Sequence, residues 1–215
     1  MVLTWKKISA KWSLILAWFF GFILAETFGV IITSQGIVYG ISSMSSGALG
    51  NATIVSSRLV SLMLISRMSE LKLKDATYAP FPKRKWFPVI LTGIIASFTL
   101  SYVVNGYQLQ LLGLNYFIRN AVPWAFPLQI VYYLFEIVVM NYMYLLAAKG
   151  WLWRRGPVTA GTLFLLLGWA SLHVITKDVL VAVSGVVLVL ILYVSYEFAR
   201  SPLTPVILWL AYLTG

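Results

Sequence analysis

Long, nearly continuous apolar stretches separated by short polar or basic connectors dominate this chain of 215 residues. Seven can be marked, at about residues 12–33, 37–66, 87–107, 122–148, 158–176, 179–198 and 203–214. A membrane-spanning barrel would show short segments that alternate apolar and polar positions. Runs of about 20 apolar residues instead predict helices, whose backbone polar groups are satisfied inside the segment. The expected fold is therefore all-α: a polytopic transmembrane helix bundle of about seven helices, one domain covering residues 1–215. A break is expected in the second stretch around Gly47–Asn51, while Pro123 and Pro127 stand near the start of the fourth, where proline does least damage. The last stretch has 12 residues. At 1.5 Å per residue it reaches roughly 18 Å, short of the ~30 Å hydrocarbon core, so it is expected as a partial helix packed within the bundle. The first stretch follows Lys6, Lys7 and Lys11 as a signal peptide would. Its length, ~20 residues against 7–15 for a signal-peptide apolar region, argues for a retained helix.

Composition agrees with this pattern. The chain is 60% hydrophobic and 10% charged, against roughly 25% charged in soluble domains. Its net charge of +10 would raise nucleic acid as a partner in a soluble protein. Here the cations cluster between apolar stretches and no nucleic-acid motif accompanies them, so nucleic acid is excluded and membrane lipids are the expected surroundings. Cysteine is absent and histidine occurs once. No disulfide, thiolate nucleophile or His-rich metal cluster is available, and no cofactor or metal is expected. The lysines at the N-terminus, the run from Arg67 to Lys85, and Lys149, Arg154 and Arg155 fall on alternate connections. The positive-inside rule then places the N-terminus in the cytoplasm. The connector Ala79–Trp86 reads as a stiff turn touching anionic headgroups. Asn51-Ala-Thr53 is a glycosylation sequon on the expected outer side, a pattern that also arises often by chance.

A few ionisable side chains interrupt the apolar runs. Each costs at least ~2.5–3.5 kcal/mol at the centre of a membrane helix, so such groups are expected to be paired or used. Glu26 in the first stretch and Arg58 in the second are candidates for a buried ion pair that sets the packing of two antiparallel helices. Glu136 lies in the fourth stretch with Tyr132, Tyr133, Val139 and Met140 at i±3 and i±4. The single histidine, His173, lies in the fifth, with Trp169 at i−4. Gly161 and Gly168 let another helix approach there. Glu136 stands about 13 residues before the basic connector and His173 about 17 after it. On antiparallel neighbours both reach a depth of ~20–25 Å from the same side, where they can meet. Each also has a plainer reading, as a hydrogen-bonded core group. Glu197, Arg200, Lys177 and Asp178 lie near stretch ends and are expected snorkelled and solvated.

Three short blocks between about Val131 and Leu213, within a core of residues 119–215, carry a resemblance. They are Phe135-Glu136-Ile-Val-Val-Met-Asn141, Trp169-Ala-Ser-Leu-His173, and Ile191 to Trp209 with its turn and Pro205. In order and spacing they resemble the CAAX-protease and bacteriocin-processing family of intramembrane endopeptidases. That family's motifs are two glutamates followed after three residues by arginine, an aromatic followed after three residues by histidine, and a histidine followed after three residues by asparagine or aspartate. The resemblance implies a general base at Glu136 and a water-orienting role for His173, acting on a peptide bond within or near the membrane. It also marks the departures. One glutamate is present, Met140 or Asn141 stands for the arginine, Trp209 for the second histidine, and Leu213 for the asparagine. Oxyanion donors contribute ~2.7–4 kcal/mol, so hydrolysis would need Tyr193, Tyr196, Asn141 or the Trp209 indole as substitutes.

Three functional readings follow. One is a glutamate-type intramembrane endopeptidase acting on a membrane protein or lipidated peptide. The second is an inactive relative serving as a membrane-protein-binding scaffold or chaperone subunit, with the small residues of Gly36–Gly40 and Ser42–Gly50 as a tight docking surface. The third is a transporter with Glu26, Arg58, Glu136 and His173 along a polar path.

Overall fold

The computed structural model describes residues 8–39, 43–72, 74, 83–106, 125–151, 154–155, 158–171 and 179–215. Among them seven helices follow one another: α1 (Ala10–Val38), α2 (Ser43–Met68), α3 (Phe87–Val104), α4 (Ala125–Trp151), α5 (Ala160–Ala170), α6 (Val179–Ala199) and α7 (Leu203–Thr214). A two-residue ladder, β1 (Arg154–Arg155) with β2 (Val158–Thr159), tightens the turn before α5. Five of the helical stretches are long and apolar enough to cross a membrane: Ala10–Val38, Gly47–Met68, Arg84–Val104, Phe126–Gly150 and Val179–Ala199. Their outward side chains, Phe28, Val60, Leu91 and Val183 among them, are exposed apolar groups that only a lipid phase would cover. The chain is a multi-pass, membrane-embedded, all-α helix bundle.

Boundaries depart from the sequence expectation where tertiary packing overrides local signals. α1 continues through Gln35-Gly36 to Val38, and its Thr33 and Ser34 hydroxyls bond back to the carbonyls of Gly29 and Val30. α2 runs without a break through Gly47–Asn51. Glycine weakens a helix by about 1 kcal/mol, but Gly50 is where α2 meets α1: a Cβ on it would stand 2.8 Å from the Gly29 carbonyl oxygen. α3 stops at Asn105-Gly106, Gly106 taking the left-handed conformation that glycine adopts freely (φ 67°). α5 is described only over Ala160–Ala170, 11 residues of the expected 158–176, and residues 172–178 lie outside the described part. Both α1 and α5 include a wide π-type turn, at Phe19–Leu24 and Leu166–Ala170, each holding a buried glycine, Gly21 or Gly168.

Two compact units can be distinguished. The first comprises residues Met1–Leu73 and Leu112–Val139, hence α1, α2 and the first half of α4. Ile8 N–H donates to the Met68 carbonyl at 2.9 Å, which puts the start of α1 beside the end of α2 and makes the two antiparallel. Leu14, Ala17, Ala25 and Leu62 are fully buried in this unit. The second unit comprises Lys74–Leu111 and Met140–Gly215. There α3 packs against α6 and α7. Gly93 faces the Leu208 side chain and Ser195, and Gly215 follows α7 against the Phe98 backbone, where a Cβ would fall 2.5 Å from the carbonyl oxygen. Gly161 of α5 abuts Tyr144 of α4, a Cβ there falling 2.6 Å from the Tyr144 carbonyl oxygen. Met140, Tyr142, Met143, Leu146, Leu165, Leu188, Leu192, Tyr193 and Leu208 form this unit's core.

Candidate functional site

Register brings the ionisable groups of the first unit onto one seam. Phe22, Glu26, Gly29 and Thr33 recur at helical spacing on α1, Asn51 and Arg58 are one heptad apart on α2, and Gln129, Tyr132 and Glu136 share a face of α4. Arg58 Nη2 donates to Glu26 Oε1 in an ion pair whose arginine is fully buried and whose glutamate is 28% exposed. The guanidinium carbon stands 5.3 Å from the Phe22 ring centroid and 5.1 Å from that of Tyr132, so two aromatic rings hold its plane. Tyr132 OH also donates to Glu26 Oε1, at 3.4 Å. Glu136, 5% exposed, lies within electrostatic reach of both Arg58 and Tyr132. The guanidinium thus bonds one carboxyl group and lies within electrostatic reach of a second. Among the described residues its Nε and Nη1 meet no acceptor. One heptad along α2, Asn51 Nδ2 donates to Gln129 Oε1 at 2.6 Å. The Asn51 sequon therefore sits inside a helix with its amide engaged, whereas acceptor sequons belong to surface loops.

A second polar network lies inside the second unit. Asn141 donates through Nδ2 to the Pro202 carbonyl at 3.2 Å and accepts from Tyr193 OH at 2.9 Å, tying α4 to α6 and to the turn before α7. The Tyr193 ring stacks on Tyr144 at 4.5 Å, and Tyr196 meets Tyr144 edge-on at 5.0 Å. Tyr144 OH donates to Glu197 Oε1 and accepts from Thr159 Oγ1 at 3.1 Å, while Thr159 Oγ1 takes the Thr162 N–H and caps α5. Glu197 Oε2 pairs with Arg200 at 3.0 Å. The expectation of a solvated Glu197 is therefore corrected: its side chain is 4% exposed, because Tyr144, distant in sequence, reaches it from α4. Trp169 and Trp209 pack edge to face with centroids 6.0 Å apart, each 3% exposed, and Leu213 is buried one turn beyond Trp209.

Of the candidate residues, the structure brings together Glu26, Arg58 and Glu136 in one unit, and Asn141 with Tyr193, and Trp169 with Trp209, in the other. His173 lies outside the described residues, and so does any encounter between it and Glu136. The small-residue docking surface is corrected in part, since Gly50 faces Gly29 and Thr33 of the chain's own α1. The residues that sequence reasoning passed over are Gln129, Tyr144 and Thr159. The recurrence of Tyr193, Tyr196 and Glu197 on one side of α6, with Arg200 just beyond its end, is the available signal for a polar network there. No family model matches the chain, and comparison with curated proteins and with solved structures likewise gives no match.

Proposed function

We propose that this multi-pass membrane protein has the frame of a CAAX-processing intramembrane endopeptidase without its complete hydrolytic set, and that it binds membrane polypeptides rather than cutting them. The observation that carries this reading is the packing of Trp209. Where the resemblance expects a histidine to hold the oxyanion, a buried indole lies edge-on against Trp169, and Leu213 fills the position of the asparagine. Asn141, which with Met140 is one of the two residues that can stand for the arginine, spends both ends of its amide on Pro202 and Tyr193. Three of the polar positions the chemistry relies on are thus given over to packing. A second reading, hydrolysis by Glu136 and His173, draws support from one feature: Arg58, delivered by another helix, lies within electrostatic reach of Glu136.

The deciding experiment compares new protein N-termini in membranes of cells making the wild-type chain, Glu136→Gln or His173→Ala, with each variant checked for normal abundance. The binding reading expects the same termini in all three. A cleavage product present with the wild type and missing with both variants would establish hydrolysis instead. Photocrosslinking from the exposed Leu167 then separates partner binding from mere lipid contact, with discrete polypeptide adducts expected.

A further inference from the structure

Contacts within the second unit place several segment ends at one level. Trp86, just before α3, meets Phe198 near the end of α6 at 6.0 Å. Tyr144 on α4 bonds Glu197 on α6, and Thr159, just before α5, bonds Tyr144. The start of α3, the ends of α4 and α6 and the start of α5 therefore lie at the same end of this unit.

That end is cationic. Lys83, Arg84, Lys85 and Lys149 are exposed there, and the Arg200 side chain is 52% exposed. Among the described residues Glu197 is the carboxylate in their midst, buried and already engaged by Tyr144 and Arg200. Among the described residues these five positive charges stand against one negative, an excess of four. Lys85 Nζ stands 4.9 Å from the Trp86 centroid, so an indole sits among the cations. Directly below, along the spanning direction, Phe87 (65%), Leu91 (57%) and Phe198 (43%) present exposed apolar surface. Arg200 is held at the rim by a left-handed backbone (φ 54°), with its N–H closing on the Tyr196 carbonyl at 2.7 Å.

Cations and an indole at the end of apolar spans, with uncovered aromatic and aliphatic side chains beneath, match one amphiphile: a phosphate above and acyl chains below. We infer that this end of the second unit, centred on Lys83, Arg84, Lys85 and Arg200, binds the headgroup of an anionic phospholipid, with the acyl chains along Phe87, Leu91 and Phe198. A soluble anion would engage the cations alone, whereas a phospholipid engages the cations and the apolar side chains beneath them together. The inference is independent of whether the chain cuts or binds peptides. Each Lys or Arg near an anionic surface contributes enough to change affinity about fivefold, so removing three weakens the lipid on the order of 100-fold.

The test uses the full chain in nanodiscs of phosphatidylcholine, with and without phosphatidylglycerol, reading the unfolding midpoint, together with lipid retained after detergent extraction, read by native mass spectrometry. Phosphatidylglycerol is expected to raise the midpoint and to be retained preferentially, and high salt to abolish both effects. Lys83→Gln/Arg84→Gln/Lys85→Gln is expected to lose the preference, and the charge-conserving Lys83→Arg/Lys85→Arg to keep it. Equal retention of both lipids, a preference that survives in the triple glutamine variant, or an equal rise with inorganic phosphate in phosphatidylcholine alone would each overturn the inference. Salt titration of the wild type decides the matter if the triple variant does not fold.

Discussion

Arg58→Met is the perturbation that most directly tests the charged seam of the first unit. The variant loses the charge-assisted bond to Glu26, worth about 1.5–3 kcal/mol. It also loses guanidinium contacts to the Phe22 and Tyr132 rings, about 0.5–2 kcal/mol each. It is relieved of two buried donors that meet no acceptor among the described residues, each costing about 1–3 kcal/mol. The ring and donor terms roughly cancel, so the broken ion pair decides, its cost already including the lost bond: Glu26 loses its cation and Glu136 the guanidinium within its electrostatic reach. Stranding one side of a buried pair costs about 3–5 kcal/mol, and that is the expected loss for Arg58→Met. Replacing the whole set by neutral groups is often neutral or stabilising. The triple variant Glu26→Gln/Arg58→Met/Glu136→Gln is therefore expected to recover at least half of the loss. Glu26→Gln alone should cost about 1.5–3 kcal/mol, because Glu136 remains in electrostatic reach of Arg58. Reversible unfolding in mixed micelles, followed by the fluorescence of the nine tryptophans, measures all three. At about 1.4 kcal/mol per decade the single variant shifts the unfolding constant more than 100-fold. Arg58→Met within about 1 kcal/mol of the wild type, or a triple variant no more stable than the single, would refute the argument that the arginine is held for the two carboxylates.

Two further pairs of variants test the packing. Gly50→Ala should destabilise by about 1–3 kcal/mol, since the new methyl meets the Gly29 carbonyl and the Thr33 hydroxyl. Gly47→Ala on the same helix has nothing within 4 Å and should stabilise by about 0.5–1 kcal/mol; the same unfolding titration reads both, and equal effects would contradict the close α1–α2 approach. Arg200→Gly and Arg200→Ala both remove the partner of Glu197, but only glycine is at ease in the left-handed conformation. The glycine variant should be more stable than the alanine variant by about 1–2 kcal/mol, and the reverse order would contradict that backbone geometry.

The residues that could be read ahead of the structure share one property: their signal is local. Apolar run length is set by the need to satisfy every backbone polar group within a segment, and so the helices from Ala10 to Thr214 were legible along the chain. The short α7 was legible too, because 12 residues are too few to span. Glu26 and Arg58 were conspicuous because a charge in an apolar run demands a partner. Glu197 misled because nearness to a segment end does not reveal what faces it. Its burial depends on Tyr144 from α4, and the polar stripe on α6 does not say which helix meets it. The continuity of α2 was hidden for the same reason: Gly47 and Gly50 weaken a helix locally, and only the contact with Gly29 shows what Gly50 is for.

The sequence by itself determined that this chain is a helical, multi-pass membrane protein with a few expensive polar groups inside it, because hydropathy and helix rise act over neighbouring residues. Only the tertiary structure decided how those groups are spent. Arg58 pairs with Glu26 between two rings, Asn141 joins two helices to the Pro202 turn, and Trp209 packs on Trp169. Each of these outcomes turns on distances between helices far apart in the chain, and a buried polar group answers to whichever partner the packing brings within reach.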